Sequence, residues 1–209
     1  MNLIFLGPPG AGKGTLADMA TKSLGLPHIS TGDLFRTAIK NGTPLGLKVK
    51  DILAKGALVP DDLTIAMVEE RLHAPDTEPG WILDGFPRTT AQAEALARLE
   101  KVDRVINFEV ADELILGRLS TRRVCRGCGK IYNVKTLPPK REGVCDACGG
   151  EVYRRDDDRE EAVATRLTHY REDTAPLIDW YRRQHLLDTI DAAGDPASVF
   201  EHFKTFIKH

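Results

Sequence analysis

"GPPGAGKGT", residues 7–15, follows the apolar run Leu3-Ile4-Phe5-Leu6 and opens a helical pattern in which Leu16, Met19, Ala20 and Leu24 recur until Gly25. Strand, glycine-rich loop and helix in that order make a phosphate cradle, because amides at a helix start are unpaired donors at the positive end of its dipole. Gly7, Gly12 and Lys13 fit the usual spacing, and Lys13 is set to reach the β- and γ-phosphates. The hydroxyl that meets Mg²⁺ comes one residue late, since Gly14 intervenes before Thr15. Spacing alone offers no reason for that extra glycine. A glycine-rich turn without a ligand is the plain alternative, and the flanking strand and helix speak against it.

Further along, the short apolar runs Trp81-Ile82-Leu83, Val105-Ile106-Asn107-Phe108 and Leu186-Leu187-Asp188-Thr189-Ile190 alternate with amphipathic helices, and His28-Ile29 reads as a fifth, very short strand. That alternation predicts an α/β fold with a five-stranded parallel sheet covered by helices. In the last helix Asp195 is the cap, Pro196 takes the first position, and Val199, Phe200, Phe203, Phe206 and Ile207 form the inner face. Two stretches interrupt the rhythm. Residues 30–59 hold helical patterns without a strand of the main sheet, with Leu45, Val49, Ile52 and Leu53 apolar at helical spacing. Residues 122–158 are rich in Gly, Pro, Cys and charge, and Asp158, three residues before Glu161, reads as an N-terminal box for the next helix. The expected organisation is a core of residues 1–29, 60–121 and 159–209 with insertions at 30–59 and 122–158.

The chain has 209 residues, 42% of them hydrophobic, which is enough for a large core. Its net charge of −2 gives no overall reason to expect a nucleic-acid or membrane partner, although Arg118, Arg122, Arg123, Arg126 and Lys130 cluster locally. A strand pattern begins within two residues of Met1, without the basic and apolar regions of a signal, and no span is long enough to cross a bilayer. The expected location is the cytoplasm.

Three groups of residues carry chemistry. "WILDGFPRT", residues 81–89, brings Asp84 to the carboxyl end of a strand, where ligands gather in open α/β sheets, so Asp84 is placed to organise Mg²⁺ and its waters. A strand-terminal Asp capping a turn is the plain alternative there. Cys125-x2-Cys128 and Cys145-x2-Cys148, sixteen residues apart, match a four-thiolate zinc site, and four protein ligands leave no open position, so the zinc is expected to be structural. Arg36, Arg88, Arg118, Arg122, Arg123, Arg155 and Arg166 flank the insertions or the ligand edge of the sheet. Each alone is an ordinary surface charge; together they suit a phosphate-rich substrate. None of the six histidines pairs at metal-ligand spacing, and none is given a role.

"GPPGAGKGT", "STGDLFR" at 30–36, "DGFPRT" at 84–89 and "RLTHYRE" at 166–172 together resemble adenylate kinase. The resemblance spans nearly the whole chain, and the long second insertion is similar to the zinc-bearing lid of the family's long bacterial form. The resemblance implies a P-loop kinase performing ATP + AMP ⇌ 2 ADP with Mg²⁺, in which residues 30–59 bind the nucleoside monophosphate and residues 122–158 are the lid. It implies that the amides of Gly10, Ala11, Gly12, Lys13, Gly14 and Thr15 hold ATP phosphates and that Arg118 lies against the ATP adenine. Thr31, Arg36, Gly85, Arg88 and Gln92 match the AMP site. Arg122, Arg155 and Arg166 match arginines that close on the transferring phosphoryl group, and Asp33 with Asp84 matches acids that order hydrated Mg²⁺. Asp157, beside Arg155, matches an acid that positions lid arginines.

Two rivals share some of these features. A UMP or CMP kinase, or one using GTP as donor, needs much the same phosphate apparatus; Gln92 and the long lid favour AMP. A zinc-ribbon protein that binds nucleic acid and uses ATP as a switch explains the basic cluster at 118–130, but not the near-neutral total charge. The expected partners are therefore ATP, AMP and ADP alone, in a monomer.

Overall fold

A computed structural model describes residues 1–207 of the protein; the last two positions of the expected core segment lie outside them. In chain order the elements are β1 (Asn2–Leu6), α1 (Lys13–Leu24), β2 (His28–Ser30), α2 (Thr31–Lys40), α3 (Pro44–Ala54), α4 (Asp61–Leu72), β3 (Trp81–Asp84), α5 (Thr90–Leu99), β4 (Arg104–Glu109), α6 (Asp112–Thr121), β5 (Arg122–Cys125), β6 (Ile131–Asn133), β7 (Val152–Tyr153), α7 (Glu160–His169), α8 (Pro176–Arg183), β8 (Leu187–Asp191) and α9 (Pro196–Phe206). A π-helical turn, Tyr170–Thr174, joins α7 to α8.

The main sheet runs β2-β3-β1-β4-β8 and every pairing in it is parallel, as the five apolar runs predict. Side chains alternate across a strand, so β1 feeds two cores at once. Leu3 and Phe5 join Leu16, Ala17, Ile106, Ile190 and Phe203 on the side covered by α1 and α9. Ile4 and Leu6 join Ile29, Leu83, Leu96, Leu177 and Tyr181 on the side covered by α4, α5 and α8. Because β3 and β4 flank β1 on opposite sides, the connections leave β1 in both directions and open a crevice beyond its carboxyl end. The phosphate loop occupies that place.

Residues 31–59 form α2 and α3 with a small core of Phe35, Val49 and Val59. The cysteine-rich stretch is more regular than its composition suggests: β6-β5-β7 make a three-stranded antiparallel sheet around Cys125, Tyr132 and Cys145. Asp158 does not act as the N-terminal box read from the sequence. Arg159 takes the cap position of α7 without a side-chain hydrogen bond, while the Asp158 carboxylate turns inward to arginines and is only 1% exposed. Among the described residues no helix is long and apolar enough to cross a membrane.

Phe203 anchors α9: it is fully buried, with its ring 5.6 Å from that of Phe5 and edge-on to it. We expect Phe203→Ala to cost about 3–5 kcal/mol and to lower Tm by roughly 6–20 °C. Chemical and thermal denaturation would measure it, and a loss below about 1 kcal/mol would show that α9 docks without this ring.

Candidate active site

Gly12 starts α1 at φ 99°, a left-handed conformation that glycine takes at little cost, and no side chain caps the helix. The first amides of α1 therefore have no intrahelical partner, which makes them an anion site. Lys13 folds over the loop, its Nζ donating to the carbonyls of Gly7 at 2.8 Å and Pro8 at 2.9 Å. Thr15 stands half-buried on the first turn. The extra glycine has a reason in space: a Cβ on Gly14 would lie 3.2 Å from Ile131 Cδ1 and 3.8 Å from Asp84 Oδ2. A bare backbone at that position lets β6 lie directly on the phosphate loop.

Asp84 ends β3 beside this loop. The neighbouring strand brings His28 against it, Nε2 standing 3.5 Å from Asp84 Oδ2 and Nδ1 3.9 Å from Asp18 Oδ1. Burial alone would raise the Asp84 pKa, but close contact with His28 and the charges of Lys13 and Arg88 hold it down at about 2. Burial works the other way on Lys13: with the Arg88, Arg166 and Arg122 charges it outweighs the attraction of Asp84 and lowers the ammonium to about 8.

Five guanidinium groups converge on the same crevice from four parts of the chain. Arg88, from the loop after β3, donates its Nε to the Gly85 carbonyl at 2.7 Å, where Thr31 Oγ1 also donates at 2.8 Å. Arg36 on α2 binds Asp33 Oδ1 through Nε at 3.1 Å and NH2 at 2.8 Å, and the same oxygen accepts from Arg155 NH2 at 3.2 Å. Asp33 is thus shared by two arginines across the crevice. Arg122, at the start of β5, donates from one edge of its guanidinium to both oxygens of buried Asp158, Nε to Oδ2 at 2.9 Å and NH2 to Oδ1. Arg166 on α7 reaches Asp158 Oδ1 at 3.3 Å and Asp157 Oδ2 at 3.1 Å. Burial lowers both Arg155 and Arg166 to about 10, their cationic neighbours adding to it and the aspartates opposing it. Arg155 is 8% exposed, and its Nε has no hydrogen-bond partner among the described residues. A buried guanidinium donor left unpaired is chemistry suited to an anionic oxygen.

Arg118 stands apart from this cluster. Its guanidinium holds the carbonyls of Ala192 at 2.8 Å and Ala193 at 3.1 Å and reaches Ala11 at 3.4 Å, tying α6 to the loop after β8 at the outer end of the phosphate loop. On the opposite side Thr31, Gly85, Arg88 and Gln92 line a narrow cleft with Phe35 and Val59. Gln92 is buried, its Nε2 donating to Asp61 Oδ1 at 2.7 Å. Asp158, His28 and Asp61 are site residues that the sequence does not point to. Asp158 was hidden by its resemblance to a helix cap, and His28 becomes legible only once β2 is known to pair with β3.

The four cysteine sulfurs lie within 4.8 Å of one another, with Cys125 and Cys148 Sγ at 3.4 Å and Cys128 and Cys145 Sγ at 3.6 Å. A tetrahedron with Zn–S bonds of about 2.3 Å has sulfurs about 3.8 Å apart, so the set fits that ion. The amides of Gly127 and Ala147 point at Cys125 and Cys145 Sγ at 3.3 and 3.4 Å, and Tyr132 Oη donates to Cys145 at 3.3 Å and lowers its thiol to about 6. The cluster is built to hold anionic sulfur around a cation.

A sequence model of the family described as adenylate kinase matches residues 5–186. Curated relatives of that name include proteins from Treponema denticola, 55% identical over 209 residues, and Thermosipho melanesiensis, 53% identical over 213, each alignment covering 100% of both chains. One from Archaeoglobus fulgidus is 49% identical over 213 residues, covering 100% of this chain and 98% of the relative.

The lowered Lys13 pKa makes a stability prediction. The folded protein disfavours the Lys13 proton, so the destabilisation is complete below about pH 8 and is relieved as pH rises toward 10.5, the ordinary value of a lysine. We expect Lys13→Met to raise the Tm of the nucleotide-free protein at pH 7, and the advantage over wild type to shrink between pH 8 and 10.5. Paired thermal scans across that range would check it; a variant less stable than wild type at pH 7 would contradict the strain assigned to Lys13.

Proposed function

The chain belongs to the adenylate kinase family and catalyses ATP + AMP ⇌ 2 ADP, and from that premise we propose how its residues divide the work. The observation that carries the assignment is the excess of positive charge in the crevice: among the described residues Lys13, Arg36, Arg88, Arg122, Arg155 and Arg166 face the carboxylates of Asp33, Asp84, Asp157 and Asp158 alone. Two polyphosphates supply the missing negative charge.

In this reading the amides of Gly10 to Thr15 and Lys13 hold the ATP phosphates, and Arg118 flanks the adenine. Thr31, Arg36, Gly85, Arg88 and Gln92 hold AMP. Arg122, Arg155 and Arg166 lie between the two nucleotides, where they offset the repulsion of phosphates brought into line. Phosphoryl transfer is mostly positioning and electrostatic stabilisation, so these residues need no covalent role. Ionised Asp84, with Asp33 and Thr15, suits a hydrated Mg²⁺, which when bound with nucleotide neutralises charge on the phosphoryl oxygens.

Residues 30–59 and 122–158 are proposed as units that close over the nucleotides and exclude water, so that AMP rather than solvent receives the phosphoryl group. Two contacts support this: Lys40 Nζ on α2 donates to the Arg126 carbonyl of the cysteine-rich unit at 3.5 Å, and Ile131 of that unit lies over Gly14 of the core loop. Zinc on Cys125, Cys128, Cys145 and Cys148 is proposed as a structural staple for the second unit. Thiols kept for a metal suit a reducing cytoplasm, and we propose that the protein works there as a monomer.

An ADP-formation assay with ATP against AMP, UMP, CMP and GMP in turn tests the assignment. By analogy with arginine fingers, Arg88→Ala should lower kcat/KM for AMP by about 10³-fold or more while leaving circular dichroism unchanged. A variant keeping over about a tenth of the wild-type rate would have lost under ~1.4 kcal/mol, too little for a residue on the transferring phosphate.

For zinc, elemental analysis should find one ion per chain, and Cys125→Ser with Cys128→Ser should remove it. Structural zinc contributes apparent binding free energies of order 10 kcal/mol, which the small core around Tyr132 is poorly equipped to replace. We expect a lowered Tm and early proteolysis between Arg122 and Asp158, with residual activity at low temperature. Wild type purified without chelators and carrying no zinc would sink this account.

A further inference from the structure

We propose that Asp61, which touches no substrate in the reading above, sets the choice of acceptor base by fixing which way round the Gln92 amide sits. The inference rests on the assignment of Thr31, Arg88 and Gln92 to the AMP site and deepens it.

A glutamine amide has one accepting and one donating end, and its two orientations have nearly the same shape; the partners decide between them. Gln92 is 1% exposed, so its partners are protein groups. On one side Arg88 N–H, which only donates, stands 2.8 Å from Oε1. On the other the Asp61 carboxylate accepts the Nε2 hydrogen through Oδ1 at 2.7 Å. Reversing the amide would set NH₂ against N–H and oxygen against carboxylate, two repulsive contacts inside the protein. Asp61 is itself held in place. Its other oxygen accepts from Thr89 Oγ1 at 2.9 Å, and Thr89 caps α5 by accepting from Gln92 N at 3.2 Å. The first residue of α4 and the first turn of α5 thus lock one side chain from both ends.

The consequence is chemical. With one hydrogen committed to Asp61, the second Nε2 hydrogen has no partner among the described residues, and Gln92 lines the cleft with Thr31, Gly85 and Arg88. The cleft therefore offers a base a donor at that point. Adenine N1 is an acceptor and satisfies it; hypoxanthine and guanine carry N1–H, a donor, and oppose it. A site that leaves a buried polar group unpaired rejects the wrong ligand far more strongly than a hydrophobic pocket does. Without Asp61 only Arg88 N–H opposes the reversed amide, which presents an acceptor and tolerates N1–H.

The test compares AMP with IMP as phosphate acceptors from ATP, for wild type, Asp61→Ala, Asp61→Asn and Gln92→Ala. Loss of a hydrogen bond to a charged group corresponds to about 10-fold or more, so Asp61→Ala should narrow the AMP-over-IMP ratio of kcat/KM by at least that factor, mainly through a higher KM for AMP. Asp61→Asn should retain selectivity within about threefold, because its carbonyl still accepts from Nε2. In ¹⁵N–¹H spectra the Gln92 side-chain amide should be shifted and protected in wild type and Asp61→Asn, and should lose both properties in Asp61→Ala. Asp61→Ser, which suits a helix start, serves as the second removal variant should alanine fail to fold. An Asp61→Ala enzyme with the wild-type ratio, or one whose activity with AMP and IMP falls in equal measure, overturns the proposal. If Gln92→Ala itself leaves the ratio unchanged, the base-cleft assignment fails, and the Asp61 proposal falls with it.

Discussion

Lys13 and five arginines repel one another inside a crevice that is largely closed to water, and the rest of the architecture can be understood as the means of holding them there. Burial lowers the Lys13 pKa to about 8 and those of Arg155 and Arg166 to about 10, so the folded protein holds these charges against their own preference. The aspartates relieve part of this. Asp158 takes Arg122 and Arg166, Asp157 takes Arg166, and Asp33 spans Arg36 and Arg155. None of these pairs removes the excess. A polyanion entering the crevice therefore meets donors already gathered, and the reorganisation that would otherwise accompany transfer has been completed during folding.

Such a cluster can be assembled only by a fold that brings distant segments to one edge. The parallel sheet does so because every strand points its carboxyl end the same way, delivering the phosphate loop after β1, Asp84 at the end of β3 and Arg88 just beyond it. The cores on the two faces are independent of this edge: Leu3 and Phe5 pack one way, Ile4 and Leu6 the other. Charge strain at the edge is thus separated from the apolar contacts that stabilise the sheet. Arg36, Arg122 and Arg155 come instead from the inserted units, so the full cation set exists only when those units lie against the core.

That division decides what could be read from the sequence. The sheet was legible because its strands are apolar runs set apart by glycines and amphipathic helices, and the gathering of the four cysteines because two Cys-x2-Cys pairs admit few other readings. The strands of the cysteine-rich unit were not, since β6 and β7 have three and two residues and carry no periodicity. Asp158 shows a different limit. Its spacing to Glu161 is that of a helix box, yet Arg122, thirty-six residues away in sequence, claims the carboxylate. A charge-assisted, buried pair outweighs an exposed cap of about 1 kcal/mol. Asp61 was equally silent, because an acid at a helix start is ordinary until the helix opposite presents an amide to it.

Gly14 connects these levels. A phosphate loop with Ser or Thr after the lysine places a side chain where this protein keeps none, and the spacing of the loop offers no explanation. The reason lies in a different part of the chain: Ile131, on a strand too short to foresee, comes to rest where a Cβ would stand 3.2 Å from its methyl group. Asp84 lies on the same side, 3.8 Å from that point. The Ile131 methyl of the cysteine-rich unit and the Asp84 carboxylate thus share the space left by one missing side chain. An apolar methyl set directly on the loop is a low-dielectric cover, and with phosphate on these amides as proposed it would exclude water and strengthen the charge interactions beneath it. A side chain at position 14 would set its Cβ 3.2 Å from that methyl, closer than ordinary van der Waals contact, so Ile131 would have to give way, whereas Thr15, one residue along, carries its hydroxyl without that demand.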